Sequence, residues 1–178
     1  SVITGGAGVG KTTVTKAIID IFTNLGRKVV LAAPTGRAAK RMSEVTGKEA
    51  KTIHRLLEFN NDGKFTKNSE NKIDADVLIV DEASMIDVIL MNNLLKATLI
   101  NTSIILIGDV NQLPSVGAGN VLRDIINSGA VPVIKLTKIY RQENMSNIII
   151  NSHKINQGEM PDLKVRKNSD FFFIEEND

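Results

Sequence analysis

A glycine-rich segment near the start of the chain, Gly5–Thr12, constrains the fold more than any other feature. It reads G-G-A-G-V-G-K-T and follows Ser1–Thr4, which has the pattern of the end of a β-strand. Apolar residues at helical spacing come after it and stop at Gly26. A strand, a glycine loop and a helix in this order form a phosphate-binding loop, because glycines let backbone N–H groups approach phosphate oxygens at the positive end of the helix. A glycine-rich turn before a chance lysine would not explain the elements on both sides. The segment therefore predicts binding of a nucleoside triphosphate.

The residues of this loop have separate expected roles. Lys11 is expected to reach the β- and γ-phosphates of ATP, and the hydroxyl of Thr12 is expected to ligate Mg²⁺. A dinucleotide-binding motif is excluded, because it would need glycine where Lys11 stands. The residues expected to contact the ATP phosphates are Gly6, Ala7, Gly8, Val9, Gly10, Lys11, Thr12 and Thr13.

An apolar run that ends in two carboxylates is the second element with chemical meaning. Val77–Val80 has the pattern of a buried strand, and Asp81 and Glu82 follow it directly. After a phosphate loop this is the Walker B arrangement, in which Asp81 would hold Mg²⁺ and Glu82 would activate water as general base. Two acidic residues could instead begin the next helix, where its dipole favours negative charge. The loop upstream favours the catalytic interpretation, so hydrolysis is expected.

A glutamine follows the next buried strand of the chain. Gln112 lies within Gly108–Pro114, directly after the apolar run Ile104–Ile107. A glutamine at a strand end can hydrogen-bond the γ-phosphate or the attacking water and so couple hydrolysis to neighbouring loops. Gly, Asp, Asn and Pro also favour turns, so spacing alone leaves a sensor and a plain turn equally open.

Strand and helix patterns alternate along the chain, which predicts a three-layer α/β sandwich with one domain over residues 1–178. Besides those above, the predicted strands are Lys28–Ala33, Val131–Leu136 and Phe171–Ile174. The predicted helices after the first are Gly36–Val45, Thr52–Leu57, Asp87–Leu99, Asn120–Ser128 and Met145–Gln157. The polar, Gly- and Asn-containing segment Phe59–Lys72 indicates a hairpin or a mobile loop. Ligands of such a sheet bind at the carboxyl ends of its strands, where the loops above lie.

Composition narrows the class of protein. The chain has no cysteine, and its two histidines, His54 and His153, lie far apart in sequence. Disulfides are therefore excluded, and a zinc site has no basis. The absence of cysteine suits a reducing cytosol. No apolar run approaches the length of a membrane span and no secretory signal is present, so a cytoplasmic protein without membrane partners is expected.

Positive charge is concentrated in one part of the chain. Residues 27–67 carry ten Lys/Arg against four Asp/Glu, although the net charge is only +2. Arg37, Lys40 and Arg41 share one face of the predicted helix 36–45, a stripe that suits the phosphates of a nucleic acid. A solvated helix face is the commoner explanation of such a stripe. Aromatic residues are few, so backbone contacts would dominate over base stacking.

Six motifs together resemble the first motor domain of RecD-type DNA helicases, in the second branch of helicase superfamily one. The motifs are Gly5–Thr13, Ala33–Ala39, Thr52–Leu57, Val80–Met85, Gly108–Gly117 and Ile139–Gln142. Their order and spacing match over essentially the whole chain, and A-P-T-G-R-A-A-K-R and G-D-x-x-Q-L-P-S-V-G are specific to that group. The resemblance implies a RecA-like fold and ATP-driven 5′→3′ translocation on single-stranded DNA, with duplex unwinding, in DNA repair or recombination.

The resemblance also implies roles for individual residues. Gln112 would sense the γ-phosphate, and Arg141 would contact it as the arginine of the fourth motif. Tyr140 would stack on the adenine of ATP, although a lone tyrosine is more often a core or interface residue. The DNA-facing positions would be Pro34, Thr35, Arg37, Thr52, His54, Arg55, Ser115, Val116 and Gly117.

The implied partners are single-stranded DNA, a second RecA-like domain of the same, longer parent chain, and proteins of a repair complex, with a monomer as the default state. Two other classes stay open. A P-loop ATPase that remodels nucleic acid would usually carry Asn, Thr or Ser in place of Gln112. A nucleotide-dependent interaction module would not need Glu82. Stimulation of hydrolysis by single-stranded DNA would distinguish a helicase from an ATPase of another kind.

Overall fold

A parallel β-sheet forms the centre of the computed structural model, which describes residues 1–138, 146–164 and 169–174. Within these residues the sheet has six strands: β1 (Val2–Thr4), β2 (Val29–Ala33), β3 (Ala50–Thr52), β4 (Val77–Val80), β5 (Ser103–Gly108) and β6 (Val133–Lys135). Their order in the sheet is β3-β2-β4-β5-β1-β6, and every neighbouring pair is parallel. The helices are α1 (Lys11–Asn24), α2 (Gly36–Thr46), α3 (Ile53–Leu56), α4 (Val88–Ala97), α5 (Val121–Ser128) and α6 (Asn147–Asn156).

Helices cover both faces of this sheet, which confirms the three-layer α/β prediction. Side chains of a strand alternate between the two faces, so Leu78 and Val80 join one core cluster and Val77 and Ile79 join the other. Residues of α3, α4 and α5 pack in the first cluster, and residues of α1 and α2 pack in the second. All four residues of β4 are buried, as expected of a central strand in a parallel sheet.

Local sequence signals set where several helices begin and end. The hydroxyl of Thr35 accepts a hydrogen bond from the N–H of Ala38 and caps α2, while Asp87 caps α4 through the N–H of Leu90. Helix α2 ends at Gly47, whose φ of 68° is the left-handed conformation that glycine adopts without strain. These signals lie within a few residues of the boundaries they set, which explains why the sequence predicted the boundaries closely.

Three parts of the chain differ from the predicted pattern. The strand Ala50–Thr52 was not predicted, because it has no apolar run and forms only by backbone pairing with β2. The segment 59–72 contains an antiparallel bridge between Phe59 and Phe65, which agrees with the hairpin option. The predicted strand Phe171–Ile174 is wrong: these residues form no strand, and Ile174 is 85% exposed. An apolar run becomes a strand only where a neighbouring backbone pairs with it, and among the described residues none does.

Candidate functional site

The phosphate loop joins the end of β1 to the start of α1, as predicted. Gly8 and Gly10 have φ values of 77° and 87°, so the loop uses the left-handed conformations that its glycines permit. The N-cap residue of α1 is Gly10, which has no side chain, so the N–H groups of the first helical turn remain available to an anion. Lys11 lies across the loop, and its Nζ donates to the carbonyl oxygens of Gly5 at 2.7 Å and Gly6 at 2.9 Å.

Helix α6 contacts the phosphate loop. The Nε2 of His153 lies 3.2 Å from the carbonyl oxygen of Ala7. A Cβ on Gly6 would lie only 2.8 Å from Cε1 of the same ring. Asn151 fastens the helix to the chain that follows, because its buried amide donates to the Asp162 carbonyl and accepts from the Asp162 N–H. The sequence analysis assigned no role to His153. The available signal was the pair of polar residues Asn151 and His153 within one turn of a helix that is otherwise rich in isoleucine.

The two carboxylates lie at the carboxyl end of β4. The N–H of Glu82 donates to Oδ1 of Asp81 at 2.9 Å, which orients that carboxylate. Glu82 itself has φ 52° and ψ 38°, a left-handed conformation that costs a residue with a Cβ about 1–2 kcal/mol. Its Oε2 atom is buried and has no hydrogen-bond partner within the described part of the chain. Such strain and an unpartnered buried oxygen are typical of functional sites rather than of positions selected for stability.

Both carboxyl groups have a pKa above the ordinary value. Burial is the main cause of the raised pKa of Asp81, and the hydrogen bond from Glu82 and the charges of Lys11 and Arg41 oppose it. Burial also raises the pKa of Glu82, and the neighbouring charge of Asp81 raises it further. A third acid, Asp109, acts on Glu82 in the same direction, while Lys11 and Arg41 act against it. Perturbed pKa values in a cleft are an independent indication of a functional site.

A cleft of about 400 Å³ brings the predicted nucleotide residues together. Its lining includes Gly6, Ala7, Gly8, Gly10, Lys11, Thr12, Thr13, Asp81, Glu82 and Gln112. Val9 does not line the cleft, because its side chain is buried. Gln112 reaches the cleft on the loop after β5. That loop lies close because Gly108 has no side chain, and a Cβ there would approach the backbone nitrogen of Ser84 to 3.1 Å.

The lining residues fit a magnesium ion. Thr12 and Asp81 both line the cleft, and their side chains carry oxygen ligands of the kind that Mg²⁺ prefers. No group of three or more His, Cys, Asp or Glu side chains in residues 1–138, 146–164 and 169–174 could hold a metal by itself. Mg²⁺ bound to a nucleotide takes one or two protein oxygens together with phosphate oxygens and water.

The residues predicted to face DNA lie on loops and in first helical turns after β2, β3 and β5, at the same end of the sheet. Ala33 pairs with Thr52 in the β2–β3 register, so the segments that begin at Pro34 and at Thr52 start side by side. Thr35 and Thr52 each accept a hydrogen bond from a helix N–H, and a hydroxyl that accepts can also donate to another group. Arg37 and Arg55 lie in the first turns that follow.

The remaining DNA-facing predictions have different surroundings. In the loop 115–117 the Ser115 hydroxyl donates to the Gly117 carbonyl at 2.9 Å, and the side chain of Val116 is fully exposed. His54 is exposed, and its ring packs edge-on against Phe59 with the ring centres 5.6 Å apart. Tyr140 and Arg141 lie outside the described residues.

The structure separates the three cations that the sequence grouped on one face of α2. Arg41 lines the cleft, whereas Arg37 and Lys40 do not. The Nζ of Lys40 lies 3.9 Å from Oε1 of Glu44 on the outer side of the helix. Arg41 is therefore a cleft residue, although the sequence analysis placed it on the stripe expected to face DNA. Helical spacing groups residues on one face of a helix, but it does not show which of them lie next to a neighbouring loop.

The chain is similar to known proteins over most of its length. Residues 1–118 match the family described as AAA domain. The chain is 46% identical over 160 residues to the ATP-dependent RecD2 DNA helicase of Deinococcus radiodurans, a match that covers 90% of this chain and 22% of the relative. It is 38% identical over 177 residues to the RecBCD enzyme subunit RecD of Buchnera aphidicola subsp. Schizaphis graminum, covering 87% of this chain and 29% of the relative.

Solved structures show the same fold. A Pif1 helicase from Candida albicans is similar to this chain with a TM-score of 0.66 and 24% identity, over 90% of this chain and 41% of that one. A Pif1 helicase from Bacteroides, solved in complex with ADP-AlF3 and ssDNA, has a TM-score of 0.60 and 23% identity, over 88% and 42% of the two chains. This chain spans less than a third of the length of both curated relatives. In the part of the chain that the structure describes, no helix has the length and hydropathy needed to cross a bilayer.

Proposed function

We propose that this chain, which belongs to the AAA domain family, is the ATPase motor domain of a RecD-type DNA helicase that moves 5′→3′ on single-stranded DNA. The observation that carries the proposal is the single cleft that holds the phosphate loop, Asp81, Glu82 and Gln112. Identity of 46% to a protein named as an ATP-dependent RecD2 DNA helicase supports DNA as the polymer along which the motor moves. A role in DNA repair or recombination follows from the same likeness and from the RecBCD subunit.

Binding of ATP begins at the phosphate loop. The free N–H groups of the loop and of the first turn of α1 would surround the phosphates. Lys11 would exchange the carbonyl oxygens of Gly5 and Gly6 for β- and γ-phosphate oxygens, which are stronger acceptors because they carry charge. The loop therefore holds the lysine close to its working position before the nucleotide binds.

Magnesium would bind between the Thr12 hydroxyl and the Asp81 carboxylate. The ion, when bound, neutralises charge on the β- and γ-phosphate oxygens. Asp81 is suited to hold it because the N–H of Glu82 fixes one of its oxygens, and no hydrogen bond to the other oxygen is found within the described residues.

Hydrolysis would depend on Glu82 and Gln112. Glu82 would accept a proton from the attacking water, and its raised pKa makes it a better acceptor than an exposed glutamate. The left-handed backbone at Glu82 holds this carboxylate in the cleft at a cost in stability. Gln112 would hold the water or the γ-phosphate and would report hydrolysis to the loop 113–119, whose residues 115–117 are predicted to face DNA.

Movement on DNA would need a second domain. The loops after β2, β3 and β5 would grip the backbone of a single strand on this domain, through Thr35, Thr52 and Ser115 among others. Arg141 and Tyr140 are expected to contact the nucleotide. A second RecA-like domain of the parent protein would complete the cleft and supply a further arginine.

ATPase measurements on the full-length protein test this proposal. Hydrolysis should rise on addition of single-stranded DNA. Lys11→Ala should weaken nucleotide binding and abolish turnover, while Glu82→Gln should keep binding and lose hydrolysis, because an amide cannot accept the proton. Equal loss of nucleotide affinity in the two variants, measured by calorimetry, would contradict these roles. An ATPase rate that does not change on addition of single-stranded DNA would favour an ATPase of another kind.

A further inference from the structure

We propose that Arg41 belongs to the nucleotide site, where its guanidinium binds the terminal phosphate of ATP, and that it is not a DNA contact. The inference rests on the proposed ATPase function and adds to that site a residue outside the phosphate loop and the Walker B pair. It also divides the basic stripe of α2 into two parts with different ligands.

The rotation of α2 about its axis is the first support. Ala39 and Met42 are buried, and this burial turns one face of the helix towards the sheet. The residues Ala38, Arg41 and Val45 then follow one another at helical spacing along the wall of the cleft. Arg37 and Lys40 are exposed and lie on the part of the helix that does not line the cleft.

The balance of charge in the cleft is the second support. The charged side chains that line it are Lys11, Arg41, Asp81 and Glu82. The positive charge of Arg41 acts on both carboxylates, which places the guanidinium within electrostatic reach of the reaction centre. A triphosphate would bring several further negative charges beside these carboxylates, and Arg41 adds a second positive side chain to that of Lys11 in the lining of the cleft. Arginine suits this task, because its planar fork binds two phosphate oxygens at once.

The freedom of the guanidinium is the third support. Within the described ranges, no hydrogen bond or ion pair of the Arg41 side chain is found, in contrast to Lys40 and its partner Glu44. Ala38, Met42 and Val45 line the same wall and reduce its polarity. The arginine is therefore available to a phosphate that enters the cleft.

Nucleotide titrations of the full-length protein provide the test. A non-hydrolysable ATP analogue and ADP, each with Mg²⁺, are titrated by calorimetry into the wild type, Arg41→Ala, Arg41→Lys and Lys40→Ala. Arg41→Ala should lower affinity for the analogue by about tenfold or more, and affinity for ADP by less than about threefold, because only the analogue has the terminal phosphate. Arg41→Lys should retain part of the preference for the ATP analogue over ADP. Lys40→Ala is the matched control from the next position of the same helix, and it should change neither affinity.

Several outcomes would overturn the assignment. If Arg41→Ala lowers both affinities equally, or neither, Arg41 does not bind the terminal phosphate. If it instead weakens binding of an oligo(dT) strand and reduces the salt slope by about one, Arg41 is a DNA contact. If the wild type binds neither nucleotide, the proposed ATPase function itself is wrong. This result differs from the outcomes above, in which the wild type binds nucleotide and only the role of Arg41 is wrong. Arg41 is exposed, so its variants should keep the wild-type unfolding midpoint, and Arg41→Lys gives a second reading if the alanine variant does not.

Discussion

Replacing Gly6 with alanine tests whether α6 sets the position of the phosphate loop. The new Cβ would lie 2.8 Å from Cε1 of His153, closer than two carbon atoms approach without a shift. Gly6 does not have a positive φ, so its backbone accepts alanine, and only space is lacking. The ring of His153 is therefore the single obstacle that we expect the variant to meet.

The protein can respond in two ways, and both have a calculable cost. If the ring stays, overpacking costs about 1–3 kcal/mol. If the ring turns away, the polar interaction between its Nε2 and the Ala7 carbonyl at 3.2 Å is broken, at a net cost of about 0.5–1.5 kcal/mol. Gly6→Ala should therefore lower the free energy of unfolding by about 0.5–3 kcal/mol. Nucleotide affinity should fall as well, because the N–H groups of the loop no longer point to one centre.

A double-mutant cycle measures the coupling. Denaturant unfolding and nucleotide titration are carried out on Gly6→Ala, His153→Ala and the double variant. Removal of the ring removes the obstacle, so the double variant should lose no more stability than His153→Ala alone. Gly8→Ala is the matched control. Its φ of 77° strains alanine, and its nearest neighbour is Ile149 at an ordinary 3.5 Å, so His153→Ala should not rescue it. Losses that simply add in the Gly6→Ala/His153→Ala variant would refute the reasoning.

Three further predictions follow from the site and its surroundings. Neutralising Arg37 and Lys40 in the full-length protein should reduce the salt slope of single-stranded DNA binding by about one unit for each phosphate that is no longer neutralised, and an unchanged slope would mean that this face is only solvated. Residues 1–178 alone should bind ATP and Mg²⁺ weakly and hydrolyse it far more slowly than the parent, because an arginine supplied from a second domain can contribute about 10³–10⁵ in rate. Activity of residues 1–178 within tenfold of the parent would contradict that division of labour. Glu82→Gln should raise the free energy of unfolding of the ligand-free chain at pH 7, because a raised pKa means that folding disfavours the charged carboxylate. The gain should shrink as the pH falls through the raised pKa and vanish below the ordinary value of 4.5, and a gain that is independent of pH, measured by urea unfolding, would exclude this cause.

Much of the fold and of the nucleotide site could be predicted because the responsible signals are local. A phosphate loop needs glycines, a lysine and a threonine at fixed spacing in one short segment, and Gly5–Thr12 has all of them. Asp81 and Glu82 follow a strand whose four apolar residues indicate its burial. Parallel strands bring their carboxyl ends to the same edge, so the order of motifs along the chain was enough to predict that Gln112 would approach the same cleft.

The features that only the tertiary structure decided depend on contacts between distant segments. Ala50–Thr52 is a strand because β2 offers it a backbone edge, and Phe171–Ile174 is not one because no described strand does. The contact of His153 with Ala7 joins residues that are 146 positions apart. The periodicity of α2 placed Arg37, Lys40 and Arg41 on one polar face, but its rotation against the sheet turned Arg41 towards the cleft and left Lys40 on the outer side. A helical pattern predicts which residues share a face of the helix. Packing against neighbouring elements decides which of those residues line a cleft and which are exposed to solvent.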